Sequence, residues 1–130
     1  MSVRSKIEQC YAAYANRDLP GAISTFANNI KFDWPQNGAP EQFCGCCEGR
    51  EAMEQRLIAL AEAFDYEEVN TKDILVDGNK AACQLSMKLR SKKTGETALI
   101  HTVHFWQFEN GKCVEFTEYY DTAKLDSLLN

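Results

Sequence analysis

The most constraining segment of the sequence spans residues 98–125 and consists of two long runs in which apolar and polar residues alternate. The two runs flank a Gly-containing turn at residues 109–112. Alternation of period two on both sides of such a turn predicts a β-hairpin of long strands. One face of this hairpin carries two titratable side chains among aromatic ones: His104, Trp106, Phe116, Glu118 and Tyr120. The sequence therefore predicts a cavity or a polar core under the hairpin, but it identifies no substrate.

Helical patterns precede the strands. Apolar residues recur at steps of three and four over residues 3–16 and 50–64, which indicates two amphipathic helices. Between them, Asp18 can cap a shorter helix that takes Pro20 in its first turn. A short strand is predicted at 30–34 and a loop at 36–49. Four strands are predicted at 66–76, 80–90, 96–108 and 113–120, followed by a last short helix that Asp121 caps.

This order of elements predicts a single α+β domain over residues 1–130. Helices come first and a long antiparallel meander follows, which favours helices packed on one face of a sheet. At 130 residues the chain can form one core and is too short for two.

Charge and hydropathy exclude several classes of partner. The net charge of −5 argues against nucleic-acid binding, because phosphate recognition needs clustered Lys and Arg. We expect no membrane association, because the sequence has neither an apolar leader nor eighteen consecutive apolar residues. A cytoplasmic location follows as an expectation, with the six cysteines as thiols.

Short motifs add a family resemblance. In chain order they are Tyr14-x-x-x-Asp18-Leu19, Phe26-Ala27, Phe32-x-Trp34-Pro35, Phe43-x-Gly45, Gly49-Arg50-Glu51-Ala52-Met53, Phe105-x-x-Phe108, Gly111-Lys112 and Glu118-Tyr119-Tyr120-Asp121. With the order of elements, they resemble the nuclear transport factor 2-like superfamily, in particular its SnoaL-like and ketosteroid-isomerase-like members. The resemblance implies a cone-shaped domain in which three N-terminal helices pack in a strongly curved, mainly antiparallel β-sheet, with a ligand-sized cavity. It also implies a homodimer.

The resemblance carries over no complete catalytic set. The catalytic Asp of ketosteroid isomerases corresponds to Trp34, which cannot take a proton, and their oxyanion-hole acid corresponds to His104. Limonene-epoxide-hydrolase relatives have an Asp at the position of Glu118, but their Arg is absent here. Scytalone dehydratase has a His at the position of His104 and a Tyr near Tyr14, but its acidic partner is absent here. Because the fold hosts many activities, function has to be argued from the site.

His104 and Glu118 are the candidate catalytic residues. They share a face of the hairpin, and the turn brings them close to cross-strand register. A neighbouring carboxylate favours the imidazolium and holds one tautomer, which suits His104 for acid/base chemistry with Glu118 orienting it. Two alternatives stay open at this point: the pair contacts a polar ligand without catalysis, or it is purely structural.

Aromatic side chains are the candidate ligand-binding residues. Trp34, Trp106, Phe116 and Tyr120 are expected as cavity walls, and the hydroxyl of Tyr11 or Tyr14 as a donor into the cavity. Ordinary core packing is the alternative for each of them.

No metal site and no cofactor are predicted. The run Cys44-Gly45-Cys46-Cys47 lacks the second ligand pair that tetrahedral zinc requires, so we expect a plain loop, with a reactive thiolate as the alternative. The sequence contains no phosphate-binding Gly-rich loop, so no nucleotide cofactor is implied.

Two functional hypotheses follow. The first is a cofactor-independent isomerase, dehydratase or cyclase acting on a small, largely apolar or cyclic compound. The second is a non-catalytic ligand-binding or protein-interaction module with the same cavity. For either, a homodimer through the sheet is expected, because the convex face should carry Leu85, Met87 and Leu89 or their neighbours alongside His101, Val103 and Phe105.

Overall fold

We analysed a computed structural model of the protein, which describes residues 2–35 and 41–130. Its elements are α1 (Val3–Ala15), α2 (Leu19–Ile23), β1 (Phe26–Trp34), a 3₁₀ turn (Glu41–Phe43), β2 (Gly45–Glu48), α3 (Arg50–Ala63), β3 (Phe64–Asp77), β4 (Lys80–Ser91), β5 (Thr97–Glu109), β6 (Lys112–Tyr120) and α4 (Thr122–Leu129). In the described part of the chain, no helix combines the length and the apolar character that a membrane crossing requires.

The strands form one mixed sheet in the order β2-β1-β6-β5-β4-β3. All neighbouring strands are antiparallel except β1 and β6, which run parallel. The sheet is curled rather than closed, with helices packed against it. The predicted α+β class, with the first strand pairing elsewhere in a mainly antiparallel sheet, is confirmed.

Local sequence signals explain most element boundaries. The Asp18 carboxylate accepts a hydrogen bond from the Gly21 amide at 3.0 Å, and the Asp121 carboxylate accepts one from the Lys124 amide at 3.1 Å. Both residues are therefore the helix N-caps that the sequence predicted. At the β5–β6 turn, Asn110 and Gly111 both have positive φ, which is the conformation required by the tight hairpin turns that favour Asn-Gly.

The predicted loop at 36–49 is wrong over residues 45–48. These residues form β2, which pairs antiparallel with β1, so that Phe32 lies opposite Cys47 and Trp34 opposite Gly45. A four-residue edge strand made largely of Gly and Cys has no period-two pattern to reveal it, since its pairing with β1 defines it. Residues 36–40 of that predicted loop lie outside the described residues. β1 is also longer than predicted and begins at Phe26.

The two faces of the sheet differ from the prediction on β4. Leu85, Met87 and Leu89 are buried in the core and do not lie on the convex face. The reason is register, because Leu85 pairs with Thr102 and so shares the concave face with the inward-pointing residues of β5. On β5, Phe105 is 48% exposed, as expected for the convex face.

Candidate functional site

His104 and Glu118 lie directly opposite each other on β5 and β6. A register shift after Gln107 moves the pairing by one residue and brings the two side chains onto the same rung. The Nε2 atom of His104 lies 2.5 Å from Oε2 of Glu118. The structure therefore brings together the two residues that the sequence singled out.

Both ring nitrogens of His104 have partners inside the protein. Besides Glu118 at Nε2, the Tyr11 hydroxyl lies 2.8 Å from Nδ1, and the Trp106 indole donates to that hydroxyl at 3.2 Å. An ionised carboxylate only accepts, so Nε2 donates to Glu118, and Nδ1 shares a hydrogen bond with the Tyr11 hydroxyl. Since His104 is buried, this network fixes the orientation of its ring.

Glu118 is the more accessible member of the pair. Its side chain is 15% exposed, against 5% for that of His104. Its Oε1 atom accepts a hydrogen bond from the Trp34 indole at 2.6 Å. Each carboxylate oxygen thus has one donor from the protein and keeps lone-pair capacity for a ligand.

The guanidinium group of Arg56 on α3 packs against the Trp34 ring. Its guanidinium carbon lies 4.7 Å from the Trp34 ring centroid, which is within cation–π distance. The same group donates to the carbonyl oxygens of Gly45 at 2.7 Å and Cys44 at 3.2 Å. Arg56 therefore ties α3 to β2 and positions the indole that binds Glu118.

An apolar inner cavity of about 60 Å³ lies between α1, α3 and the sheet. Glu118 and His104 form part of its wall, together with Trp106 and Phe116. A side pocket of about 30 Å³ also contacts Glu118 and is lined by Trp34 and Tyr120. The Tyr120 hydroxyl donates to the Phe43 carbonyl at 2.7 Å, which holds that ring in place.

An outer pocket of about 200 Å³ adjoins the inner cavity, and we call it the entrance. Tyr14, Leu57 and Tyr66 line both spaces. The Tyr14 and Tyr66 rings are nearly perpendicular, with centroids 5.1 Å apart. Burial raises the pKa of both hydroxyls above the usual tyrosine value, so they remain protonated and able to donate near neutral pH.

All the sequence-predicted site residues line one or more of these three neighbouring spaces. Trp106 and Phe116 lie in the inner cavity, Tyr14 at its boundary with the entrance, and Trp34 and Tyr120 in the side pocket. Sequence reasoning missed Tyr66 and Arg56. Tyr66 could have been found, because it is two residues from Phe64 at the start of β3 and therefore points to the same face of the sheet. Arg56 could not, because its position depends on contacts with β2.

Within residues 2–35 and 41–130, no group of three or more His, Cys, Asp or Glu side chains is arranged to hold a metal ion. The cysteines of the chain are thiols. Burial raises the pKa of the Cys47 thiol even though Arg56 acts in the opposite direction, which disfavours a reactive thiolate there.

Comparison with known proteins agrees with this architecture. The sequence profile of the SnoaL-like domain family matches residues 7–116. An NTF2-like protein of unknown function from Burkholderia pseudomallei superposes with a TM-score of 0.88 at 23% identity, covering 100% of this chain and 99% of that one.

Two further solved structures share the fold. A protein from Mesorhizobium loti, named provisionally as a SnoaL-like polyketide cyclase, has a TM-score of 0.75 at 21% identity, covering 92% of this chain and 100% of that one. A protein from Bacillus subtilis, named provisionally as an isomerase, has a TM-score of 0.85 at 13% identity, covering 95% and 89%. No curated protein is significantly similar to the chain.

Proposed function

The chain belongs to the SnoaL-like domain family, and we propose that it is a cofactor-independent enzyme that transfers a proton on a small, largely apolar ligand. Isomerisation, dehydration and cyclisation are the reaction types that fit, and similar folds are named as a cyclase and an isomerase. One observation carries the proposal. The Glu118 carboxylate faces an apolar cavity and is hydrogen-bonded to the Trp34 indole and to the buried imidazole of His104.

The burial of the pair favours a definite division of roles. The sequence suggested His104 as the acid/base and Glu118 as the orienting group. However, both nitrogens of His104 are engaged by Glu118 and Tyr11, whereas Glu118 lines two cavities and keeps free lone pairs. We therefore assign proton transfer to Glu118 and make His104 its positioning residue.

In this mechanism the ligand's acidic hydrogen faces Glu118 inside the cavity. The carboxylate takes the proton, while Trp34 and His104 hold it in place through their hydrogen bonds. The apolar walls exclude water, which strengthens the interaction between the base and the ligand. Tyr14 and Tyr66 share a hydrogen bond that uses one of their two O–H groups, and the other can donate to a ligand oxygen that gains negative charge, because both hydroxyls stay protonated. The acid form of Glu118 then returns the proton to the ligand.

A non-catalytic ligand-binding module is the second candidate. Trp34 occupies the position where the isomerase resemblance places the catalytic Asp, and the inner cavity is small, at about 60 Å³. In such a module, the His104–Glu118 pair would serve as a hydrogen-bonding wall.

The base-promoted opening of 5-nitrobenzisoxazole tests the proposal without knowledge of the natural substrate. Glu118 would take the hydrogen at C3 as a proton while the N–O bond breaks, giving a single coloured phenolate that carries the new nitrile group. Glu118→Gln should lower the rate by about a hundredfold, because an amide is not a base. Glu115→Gln on the same strand is the matched control, because that side chain is exposed on the other side of the sheet.

The outcomes separate the two candidates. Proton transfer by Glu118 is supported if Glu118→Gln abolishes the acceleration and Glu115→Gln retains it. Saturable binding of the probe with no acceleration supports the non-catalytic module. An equal rate in wild type and Glu118→Gln contradicts the role of Glu118.

A further inference from the structure

The entrance to the cavity carries more positive than negative charge in a chain whose net charge is −5. Its charged lining residues are Arg17, Asp65 and Lys92. Since the chain as a whole repels anions, this local excess of positive charge does not follow from overall composition.

The single carboxylate among these residues is already neutralised. Asp65 lies 3.8 Å from Arg90 and 3.9 Å from Lys92, measured between their charged atoms. Lys92 also donates to the Ala61 carbonyl at 2.6 Å, which holds its ammonium at the end of α3. The charge of Asp65 therefore does not cancel that of Arg17.

In the described part of the chain, Arg17 differs from Lys92 in this respect. Among residues 2–35 and 41–130, no hydrogen bond or ion pair joins its guanidinium to another side chain or carbonyl. Its backbone φ is +61°, a left-handed conformation that Gly and Asn favour at the end of a helix. Gly at position 17 would thus form the turn between α1 and α2 more easily than Arg does. Among the described residues, the Arg17 side chain makes no hydrogen bond or ion pair that would offset this cost to the fold.

We propose that the entrance binds the carboxylate of an amphipathic ligand, with Arg17 as the principal donor and Lys92 as a second cation. The planar guanidinium fork matches a carboxylate in two-point geometry. The apolar body of the ligand then extends past Tyr14 and Tyr66 into the inner cavity. This inference rests on the proposed function for the position of the body, and it adds the chemical class of the ligand.

The arrangement also orients the ligand. Glu118 in the inner cavity repels a carboxylate, whereas Arg17 at the entrance attracts one. An aromatic or alicyclic acid therefore enters with its apolar end first. Its reactive carbon, if the site is catalytic, lies at the end away from the carboxylate.

Calorimetric titration with two isosteric pairs tests the proposal: benzoate against benzamide, and 2-naphthoate against 2-naphthamide. Each pair shares an apolar body and differs in charge. We expect the acid to bind about tenfold more tightly than its amide, because one charge-assisted hydrogen bond contributes a difference in affinity of that size. Arg17→Gln should remove this preference and leave amide affinity unchanged.

Three variants act as controls. Lys93→Gln removes a neighbouring positive charge that does not line the entrance, so it should retain most of the preference. Lys92→Gln should lower the preference in part. Arg17→Gly should raise the melting temperature while still losing the preference, which distinguishes lost binding from lost folding.

Each result decides one question. Equal affinity for acid and amide in wild type overturns the carboxylate site and leaves the cavity proposal standing. Binding of neither member of either pair also overturns the carboxylate site, whereas the proposed function is decided by the rate with 5-nitrobenzisoxazole. A preference that survives Arg17→Gln also overturns the assignment of Arg17.

Discussion

The Trp34 indole nitrogen lies 2.6 Å from Oε1 of Glu118, and this hydrogen bond joins β1 to β6 inside the site. The resemblance to ketosteroid isomerases places a proton-accepting Asp at the position of Trp34. Here that position supplies a hydrogen-bond donor, and the carboxylate comes from Glu118 on the neighbouring strand β6.

Trp34→Phe tests this relationship, because it keeps an aromatic ring and removes the indole donor. A buried hydrogen bond to a charged acceptor contributes about 1.5–3 kcal/mol, so we expect the free energy of unfolding in urea to fall by that amount. The rate with 5-nitrobenzisoxazole should fall as well, because Glu118 loses one of the donors that position it.

Trp106→Phe is the matched control for that variant. It removes an indole donor of the same type from the neutral Tyr11 hydroxyl, so it should cost about 1 kcal/mol beyond the effect of ring size. If both variants lose the same free energy of unfolding, the hydrogen bond from Trp34 to Glu118 contributes no more stability than the bond to the neutral Tyr11 hydroxyl.

His104→Ala should destabilise the protein by about 3 kcal/mol or more. The substitution opens a cavity beside Phe116, whose ring centroid lies 4.6 Å from that of His104. It also leaves Glu118 and Tyr11 without their shared partner. Free imidazole should restore part of the melting temperature by binding in the space left by the side chain, which thermal unfolding with increasing imidazole measures.

Thr102→Ala is the control for this prediction. Thr102 is the preceding inward-facing residue of β5 and is also buried, so its loss should cost about 1 kcal/mol. Imidazole should not rescue it. Rescue of both variants would mean that imidazole stabilises the fold non-specifically.

Residues within one hairpin were predictable from the sequence. The period-two pattern of β5 and β6 placed His104, Trp106, Phe116 and Glu118 on one face, and the turn limited their register to within one residue. The start of α4 after Asp121 was predictable for the same reason, because a helix N-cap is recognised from neighbouring residues alone.

Contacts between distant segments were not predictable in the same way. Arg56 reaches the site through β2, which exists only because β1 pairs with it. The inward face of β4 was also misassigned, although its apolar residues share one parity. Their direction depends on register with β5, which the sequence of β4 alone does not set.

We propose a homodimer through the convex face of the sheet. Phe105 and Tyr119 are 48% and 43% exposed there, and their ring centroids lie 6.2 Å apart in edge-to-face geometry. Light scattering should therefore return about twice the chain mass of 14.7 kDa at micromolar concentration.

Phe105→Glu should convert that dimer to a monomer with unchanged circular dichroism, because a charge at the centre of an apolar contact disfavours association. Lys93→Glu adds negative charge at the exposed β4–β5 turn and should leave the dimer intact. A wild-type mass near 14.7 kDa would exclude this interface.

Alkaline pH should destabilise the fold through its buried thiols. Burial raises the pKa of Cys10 and of Cys113 from 9.0 to about 12. A raised folded-state pKa means that the stabilisation is complete below pH 9 and is lost as pH rises towards 12. Over that range the unfolded chain has released protons that the folded chain still holds, so the free energy of unfolding falls by up to about 1.4 kcal/mol per pH unit for each thiol.

Urea unfolding between pH 8 and 10 in the presence of a reductant measures this slope. The double variant Cys10→Ala/Cys113→Ala should be less stable at pH 8, because it leaves two small cavities, yet lose less stability per pH unit above pH 9. Cys46→Ala is the control, since Cys46 is exposed on β2 and should leave the slope unchanged. Equal slopes for wild type and the double variant would contradict the proposed contribution of the buried thiols. The raised pKa values of Tyr11, Tyr14 and Tyr66 act in the same direction, so the range below pH 10 isolates the thiols best.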